Sequence, residues 1–325
     1  MARFGGDRVH GRDNEGRRSD AKEQPAHQSD RHPMTSPLPY TRAGYEERYR
    51  RLGTDGLDAL LDAGRTWELS SNLTKGGSAI FPHAHPEDCG HQIAAVVQGI
   101  IDAGAERVIA LGVLHGLSDD LREARQRVAQ GNARESEPLY GIQGTSFPGA
   151  DHWTREFSLV GFRALLRREC ERRGVNGPAI EECYPFIVGD DPTELPGFDR
   201  LADLARDAIV VATMDPVHHG AGYGDEAPHG LGDPGLRYAG TSITQGLELF
   251  DAANWSEYRN HCDDVRSDGR DTGPVLRTLL GPTSSALLDL CLCDTSEVYG
   301  KPPTWCATAL MSVERARRSA PDVEG

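Results

Sequence analysis

The chain has 325 residues and carries 50 acidic against 35 basic side chains, a net charge of −15 with histidine neutral. So acidic a surface repels phosphate backbones, which argues against nucleic acid as a partner. No apolar run approaches the ~20 residues that span a bilayer, so no membrane partner is expected. The seven dispersed cysteines include no Cys-x-x-Cys pair and point to reduced thiols in a cytoplasm.

Residues 1–40 hold few aliphatic side chains and many charged ones. Such a segment cannot bury enough apolar surface to offset chain entropy, and it is expected to be disordered. It lacks the apolar stretch of a signal peptide, and Met34 is an alternative start. Residues 317–325 read as a second disordered tail. Between them, residues 41–316 alternate strand-like and helix-like patterns.

A short helix begins at Leu57–Leu61. The apolar run Ala79–Phe81 predicts a strand, and Gly90–Ala103 a helix with Ile93, Val96, Val97, Ile100 and Ile101 on one face. Arg107–Leu111 is the next strand, completing a βαβ unit. Ser118–Gln130 reads as an exposed helix, Tyr140–Gly149 as a glycine-rich connection and Thr154–Arg173 as a helix. Ile180–Val188 is a strand, Leu201–Arg206 a short helix, and Ala208–Met214 the strongest strand in the chain. Gly220–Gly240 reads as a long loop. Helices are expected at Ser242–Ala253, Trp255–Val265 and Ser284–Cys291, with a last strand at Thr304–Val313. No composition break separates two cores. The expectation is one α/β domain with a central, mostly parallel or mixed sheet flanked by helices.

Chemistry concentrates just past the strands. His83 and His85 follow the first, His115 follows Leu111-Gly112-Val113-Leu114, and Asp215-Pro216-Val217-His218-His219 follows the strongest. Residues beyond the C-terminal ends of parallel strands line the ligand crevice of an open α/β sheet. His83 and His115, read as coming from adjacent strand ends, could share one metal ion. Asp215 could orient His218 or join the metal, and His218 could act as general acid or base. His219 is expected to face the other way, and His91 to be a surface residue. Among the cysteines, Cys89 lies nearest the histidine loop. Gly220-Ala221-Gly222-Tyr223-Gly224 lacks the dinucleotide-binding spacing, and no Gly-x-Ser-x-Gly elbow is present.

Several of these stretches, taken in order, resemble the MEMO family, whose fold is that of class III extradiol ring-cleavage dioxygenases. Pro82-His83-Ala84 with Gly90 is similar to that family's PHAGYxYSG loop, and Leu111–His115 to its LGPSHH strand end. Glu156-Phe157-Ser158-Leu159 resembles EHSLE, Pro185–Gly189 resembles PVLVG, and Met214–Gly220 with Tyr223 resembles SSDFSHYGxRFGY. The match runs from about residue 79 to 225, with a weaker echo at Ala307–Ser312. It implies that His83 and His115 are metal ligands and that Asp215 and His218 stand beside the metal. The chain departs from the family at Phe157, which replaces a histidine, and at His85-Pro86, which replaces Gly-Tyr. The family's ligand cysteine, in TICGRHP, falls near Thr278-Leu279-Leu280-Gly281, where Leu280 cannot bind metal. The dioxygenases use a late glutamate there, for which Asp294 and Glu297 are the candidates.

Two functions follow as expectations. The first is a non-haem Fe(II) oxygenase, with copper or zinc as alternative metals, acting with O₂ on a catechol-like or other small aromatic, metal-chelating substrate. The second is a MEMO-like metal-binding or regulatory protein without ring cleavage. Three strand-end histidines favour the enzyme. Self-association into a homo-oligomer is left open.

Overall fold

A computed structural model describes residues 40–115, 119–129, 140–147 and 151–316. Of the expected tails 1–40 and 317–325, residues 1–39 and 317–325 lie outside the described residues, whereas Tyr40 is packed in place, its hydroxyl 2.9 Å from His85 Nε2. In chain order the elements are α1 (Arg42–Gly64), α2 (Ser70–Thr74), β1 (Ser78–Phe81), α3 (Pro86–Asp102) and β2 (Arg107–Leu111). Then come α4 (Asp119–Ala129), β3 (Gly141–Gly144), α5 (Val160–Arg173), β4 (Ala179–Phe186), α6 (Phe198–Ala205), β5 (Ile209–Thr213) and β6 (Val217–Gly220). The remainder is α7 (Asp233–Asp251), α8 (Trp255–Asp264), α9 (Thr272–Leu280), β7 (Thr283–Asp294), α10 (Ser296–Tyr299) and β8 (Thr304–Arg315).

The strands form one mixed 8-stranded sheet in the order β3-β4-β2-β5-β1-β8-β6, with β7 added on β8. Its centre, β4-β2-β5-β1, is parallel, and β3 and β8 run antiparallel to it. The α/β architecture expected from the sequence is therefore the one observed. β1 and β5 are apolar runs because helices cover both faces of the sheet. One core lies between the sheet and α1, α3 and α5, around Phe81, Ile93, Val97 and Phe162. The other, under α6 to α9, holds Ile80, Leu111, Val210 and Trp305.

Register places the strand ends level. Ala212 of β5 pairs with Ile80 of β1 on one side and with Leu111 of β2 on the other. The segments carrying His83, Asp215 and His115 thus leave the sheet side by side. His83 and His115 are not on adjacent strands, however: β5 lies between β1 and β2, and Asp215 occupies the gap. β1 must be followed by a helix long enough to cross that gap. α3 is such a helix, begun by Pro86 with Glu87 and Asp88 in its first turn, where carboxylates favour the positive helix end. Ile93, Val96, Val97 and Ile100 of α3 are all buried. Each stabilises the fold by roughly 1.5–3 kcal/mol through apolar burial.

Several local expectations are corrected. Ser284–Cys291 is not a helix but most of β7, whose residues pair with β8 along nearly its whole length, with a bulge between Leu287 and Asp289. From Thr283 to Asp289 burial alternates residue by residue, as on a strand rather than on one helical face. Gly220–Gly240 is not one loop, since α7 already begins at Asp233. The glycine-rich Tyr140–Gly149 segment contains β3. Thr154–Arg173 is broken at 156–159, and those residues belong to the site.

Candidate metal centre

His83 sits two residues beyond β1, held at both ends. Its backbone N–H donates to Asp215 Oδ1 at 3.1 Å, and its Nδ1 is 2.9 Å from the hydroxyl of buried Thr213. His115 is held by Glu156, whose Oε2 accepts the His115 backbone N–H at 2.6 Å while Oε1 lies 2.8 Å from its Nδ1. Ser158 locks the same turn, accepting from Val113 N–H at 3.1 Å and donating to the Val113 carbonyl at 3.0 Å. A side chain at Gly112 would collide with the Tyr184 ring, so this strand end requires glycine. Both Nδ1 atoms are engaged by outer partners, the arrangement that fixes the tautomer and orientation of metal-binding histidines.

That leaves the two Nε2 atoms, which lie 3.3 Å apart. Asp268 faces them, with Oδ2 at 3.1 Å from His83 Nε2 and 3.8 Å from His115 Nε2. Asp268 comes from a 3-10 turn (Asp268–Arg270) between α8 and α9. Its Oδ1 accepts the Asp215 backbone N–H at 2.7 Å. Oδ2 is buried and faces these imidazole nitrogens. One carboxylate oxygen and two imidazole lone pairs thus meet at one point, a repulsive arrangement that a cation relieves.

The electrostatics agree. Burial opposes charge on His83, yet the Asp215 and Asp268 carboxylates outweigh it and raise its pKa to about 9. Burial likewise works against the Asp268 carboxylate, but His83, His218 and His115 hold it at about 2. Burial also disfavours charge on Glu156, and His115 overcomes it to keep that carboxyl ionised. For Asp215 burial wins, and its pKa rises. Where no ion is bound, a proton fills the role of the cation.

The described residues contain four groups of three His, Asp or Cys side chains whose ligand atoms lie within 4.8 Å of one another. His83, His115 and Asp268 form one, and Asp215, His218 and Asp268 overlap it. His218 joins from β6, its Nδ1 donating to the Arg266 carbonyl at 2.7 Å, which leaves Nε2 as a free acceptor. The sequence-derived set of His83, His115, Asp215 and His218 is therefore brought together. Asp215 contacts His83 and Asp268 and serves to position them. His219 faces away, with Nδ1 2.8 Å from Asp225 and Nε2 accepting from the His229 N–H. His91 is not free on the surface but pairs with Asp289 at 2.9 Å. Cys89 donates to the His85 carbonyl.

The third donor of this group, Asp268, corrects the expectation of Asp294 or Glu297. Neither belongs to the group around His83 and His115. Asp294 is exposed and accepts the Ser296 N–H, and Glu297 lies in α10. Leu280 is a core residue near the end of α9. Nothing local in the sequence singles out Asp268, which lies in a short turn between two helices. Gly269 is required there, since a Cβ would lie 2.5 Å from Met214 Sδ.

A cavity of about 260 Å³ opens over the histidines, walled by Tyr40, Tyr45, Phe157, Tyr223 and Tyr299 and floored by His83, His115, Asp215 and His218. None of its lining residues is Lys or Arg. Benzene occupies an apolar cavity of roughly 150 Å³, so this one has room for a single ring and its substituents. Phe157 stacks flat on His115 (4.4 Å, 17°) and on Tyr45 (4.4 Å, 19°). Burial pushes the Tyr40, Tyr45 and Tyr223 hydroxyls up, keeping them neutral. No helix of the described residues is long and apolar enough to cross a membrane. Compared with known proteins, the chain matches no family model and no curated sequence.

Proposed function

We propose that the chain is a non-haem Fe(II) oxygenase acting on a small catechol-like substrate with O₂. The observation that carries this reading is the convergence of His83 Nε2, His115 Nε2 and the buried Asp268 Oδ2. Two histidines and one carboxylate on one side of an ion are the donor set of Fe(II) oxygenases, which leave the other positions open. Iron bound there would lower the pKa of a chelated catechol and offer O₂ a neighbouring position. Copper and zinc also suit imidazole, but the oxygen donor favours the harder iron.

The chain's own residues supply the rest. His218 Nε2, with Nδ1 fixed on a carbonyl, takes a phenolic proton and returns it later. The aromatic walls hold the ring and exclude water. Asp215 fixes the His83 loop and the Asp268 carboxylate against each other. A reducing cytoplasm is the compartment that suits seven free thiols.

The second reading is a metal-binding protein without ring cleavage. Phe157 favours it, because an apolar ring stands where the resembling family has a histidine that can move protons. Anaerobic Fe(II) loading followed by oxygen uptake with a catechol panel tests both. Uptake that disappears in His218→Ala while iron stays bound supports the oxygenase. Full iron occupancy with no uptake on any catechol overturns it in favour of the second reading.

A further inference from the structure

The loop that carries His83 carries a second histidine with separate surroundings. His85 precedes α3, and its carbonyl accepts the N–H groups of Asp88 and Cys89 at 3.0 and 3.1 Å. Its Nε2 is 2.9 Å from the Tyr40 hydroxyl. Its Nδ1 is left toward Asp88, 3.9 Å from Oδ2. Cys293, near the end of β7, completes the group: one ligand atom from each of His85, Asp88 and Cys293 lies within 4.8 Å of the others. Cys293 is fully buried, and its thiol shares hydrogen bonds with the Asp88 side chain and with Cys306. Cys306 is its direct partner in the β7–β8 register, so a second sulfur lies beside the first.

Ordinary helix and sheet packing does not require this combination. A carboxylate in the first turn of α3 is explained by the helix dipole alone, but the dipole accounts for neither the histidine nor the paired thiols. We propose that His85 Nδ1, the Asp88 carboxylate and the Cys293 thiolate bind a zinc ion, with the Cys306 thiolate, which neighbours Cys293 but lies outside that three-atom group, turning in to close the fourth position. Nitrogen, oxygen and sulfur donors in one tetrahedral set are characteristic of zinc, and a site filled by four protein ligands is structural rather than catalytic. Binding exchanges the two thiol protons for the ion and involves no oxidation. The ion would join α3, β7 and β8 behind the cavity wall. Tyr40 and Cys306 both line that cavity, so the site would also fix the wall's position. None of its four ligands is shared with the group of His83, His115 and Asp268.

The test uses the full chain, reduced and stripped with a chelator, in a His83→Ala/His115→Ala background that removes the other centre. Zinc uptake is followed by elemental analysis, and Co(II) serves as the spectroscopic probe. The expected result is one equivalent of zinc and a near-ultraviolet thiolate-to-cobalt absorption. Cys293→Ser should lower that absorption by about half and weaken zinc binding by more than about 100-fold, beyond what the loss of an outer partner costs. Asp88→Asn, a change at a partly exposed side chain, should weaken binding without unfolding the protein, and it decides the matter if Cys293→Ser does not fold. No zinc in the background variant, a cobalt spectrum without thiolate absorption, or unchanged affinity in Asp88→Asn would overturn the proposal.

Discussion

The backbone N–H of Asp215 donates to Asp268 Oδ1 at 2.7 Å, and the Asp268 N–H is 3.4 Å from the Asp215 carbonyl. This reciprocal pairing docks a turn from between two helices onto the end of the central strand. It also aims the other carboxylate oxygen at His83 and His115. Asp268→Asn keeps the shape but removes the charge, and Asp268→Ala removes the donor. Both should lose bound iron in competition with a chelator, while far-ultraviolet circular dichroism stays near wild type. Iron retention by Asp268→Ala would show that the third donor lies elsewhere.

Glu156 touches no ion in the proposed scheme, yet its two oxygens hold the ring and the backbone of His115 and accept the N–H groups of Phe157 and Ser158. Glu156→Gln replaces an acceptor with a donor facing N–H groups. Metal affinity should fall by about 10–100-fold, as for other outer partners of ligating histidines. Stability should fall by roughly 1–3 kcal/mol through the stranded buried donors. Isothermal titration and urea denaturation separate the two effects.

Phe157 is sandwiched between His115 and Tyr45 and is 3% exposed. Phe157→Ala opens a void beside the centre and should cost about 3 kcal/mol, roughly 5 °C in Tm for a domain of this size. Iron content should change little, because the hydrogen bonds to His115 remain. A loss of iron as severe as in Asp268→Ala would mean that stacking, not Glu156, positions the imidazole.

The metal-free protein should respond to pH through His83. Its folded pKa lies above the ordinary 6.5, at about 9, because Asp215 and Asp268 outweigh burial. The folded state therefore binds the proton more tightly than the unfolded chain. The stabilisation is complete below about pH 6.5 and is lost as pH rises through about 9. Denaturation of chelator-treated protein should show stability falling across that window, with a flatter profile in His83→Gln. A wild-type profile as flat as the variant's would contradict the assignment.

Much of this organisation is readable from the residues alone. Ala79–Phe81, Arg107–Leu111 and Ala208–Met214 are apolar runs because they are buried on both faces. A polar residue just beyond such a run can go only to the sheet's carboxyl edge, and His83, His115 and Asp215 were legible for that reason. Asp268 was not. It lies in a short turn between α8 and α9, and nothing local tells where such a turn docks. β7 was hidden for a related reason: its leucine-rich stretch carries no clean alternation, and its strand geometry comes from the long neighbour β8.

The three donors at the main centre are two nitrogens and an oxygen. None of them is a thiolate, so peroxide cannot disarm this set by oxidising a cysteine ligand. Under the proposed oxygenase reading the centre would meet O₂ at every turnover, and that immunity would preserve it. In this chain the oxidisable sulfurs of Cys293 and Cys306 stand behind the cavity wall, where their oxidation would release the proposed zinc and loosen that wall while the two nitrogens and the oxygen of the main centre stay intact.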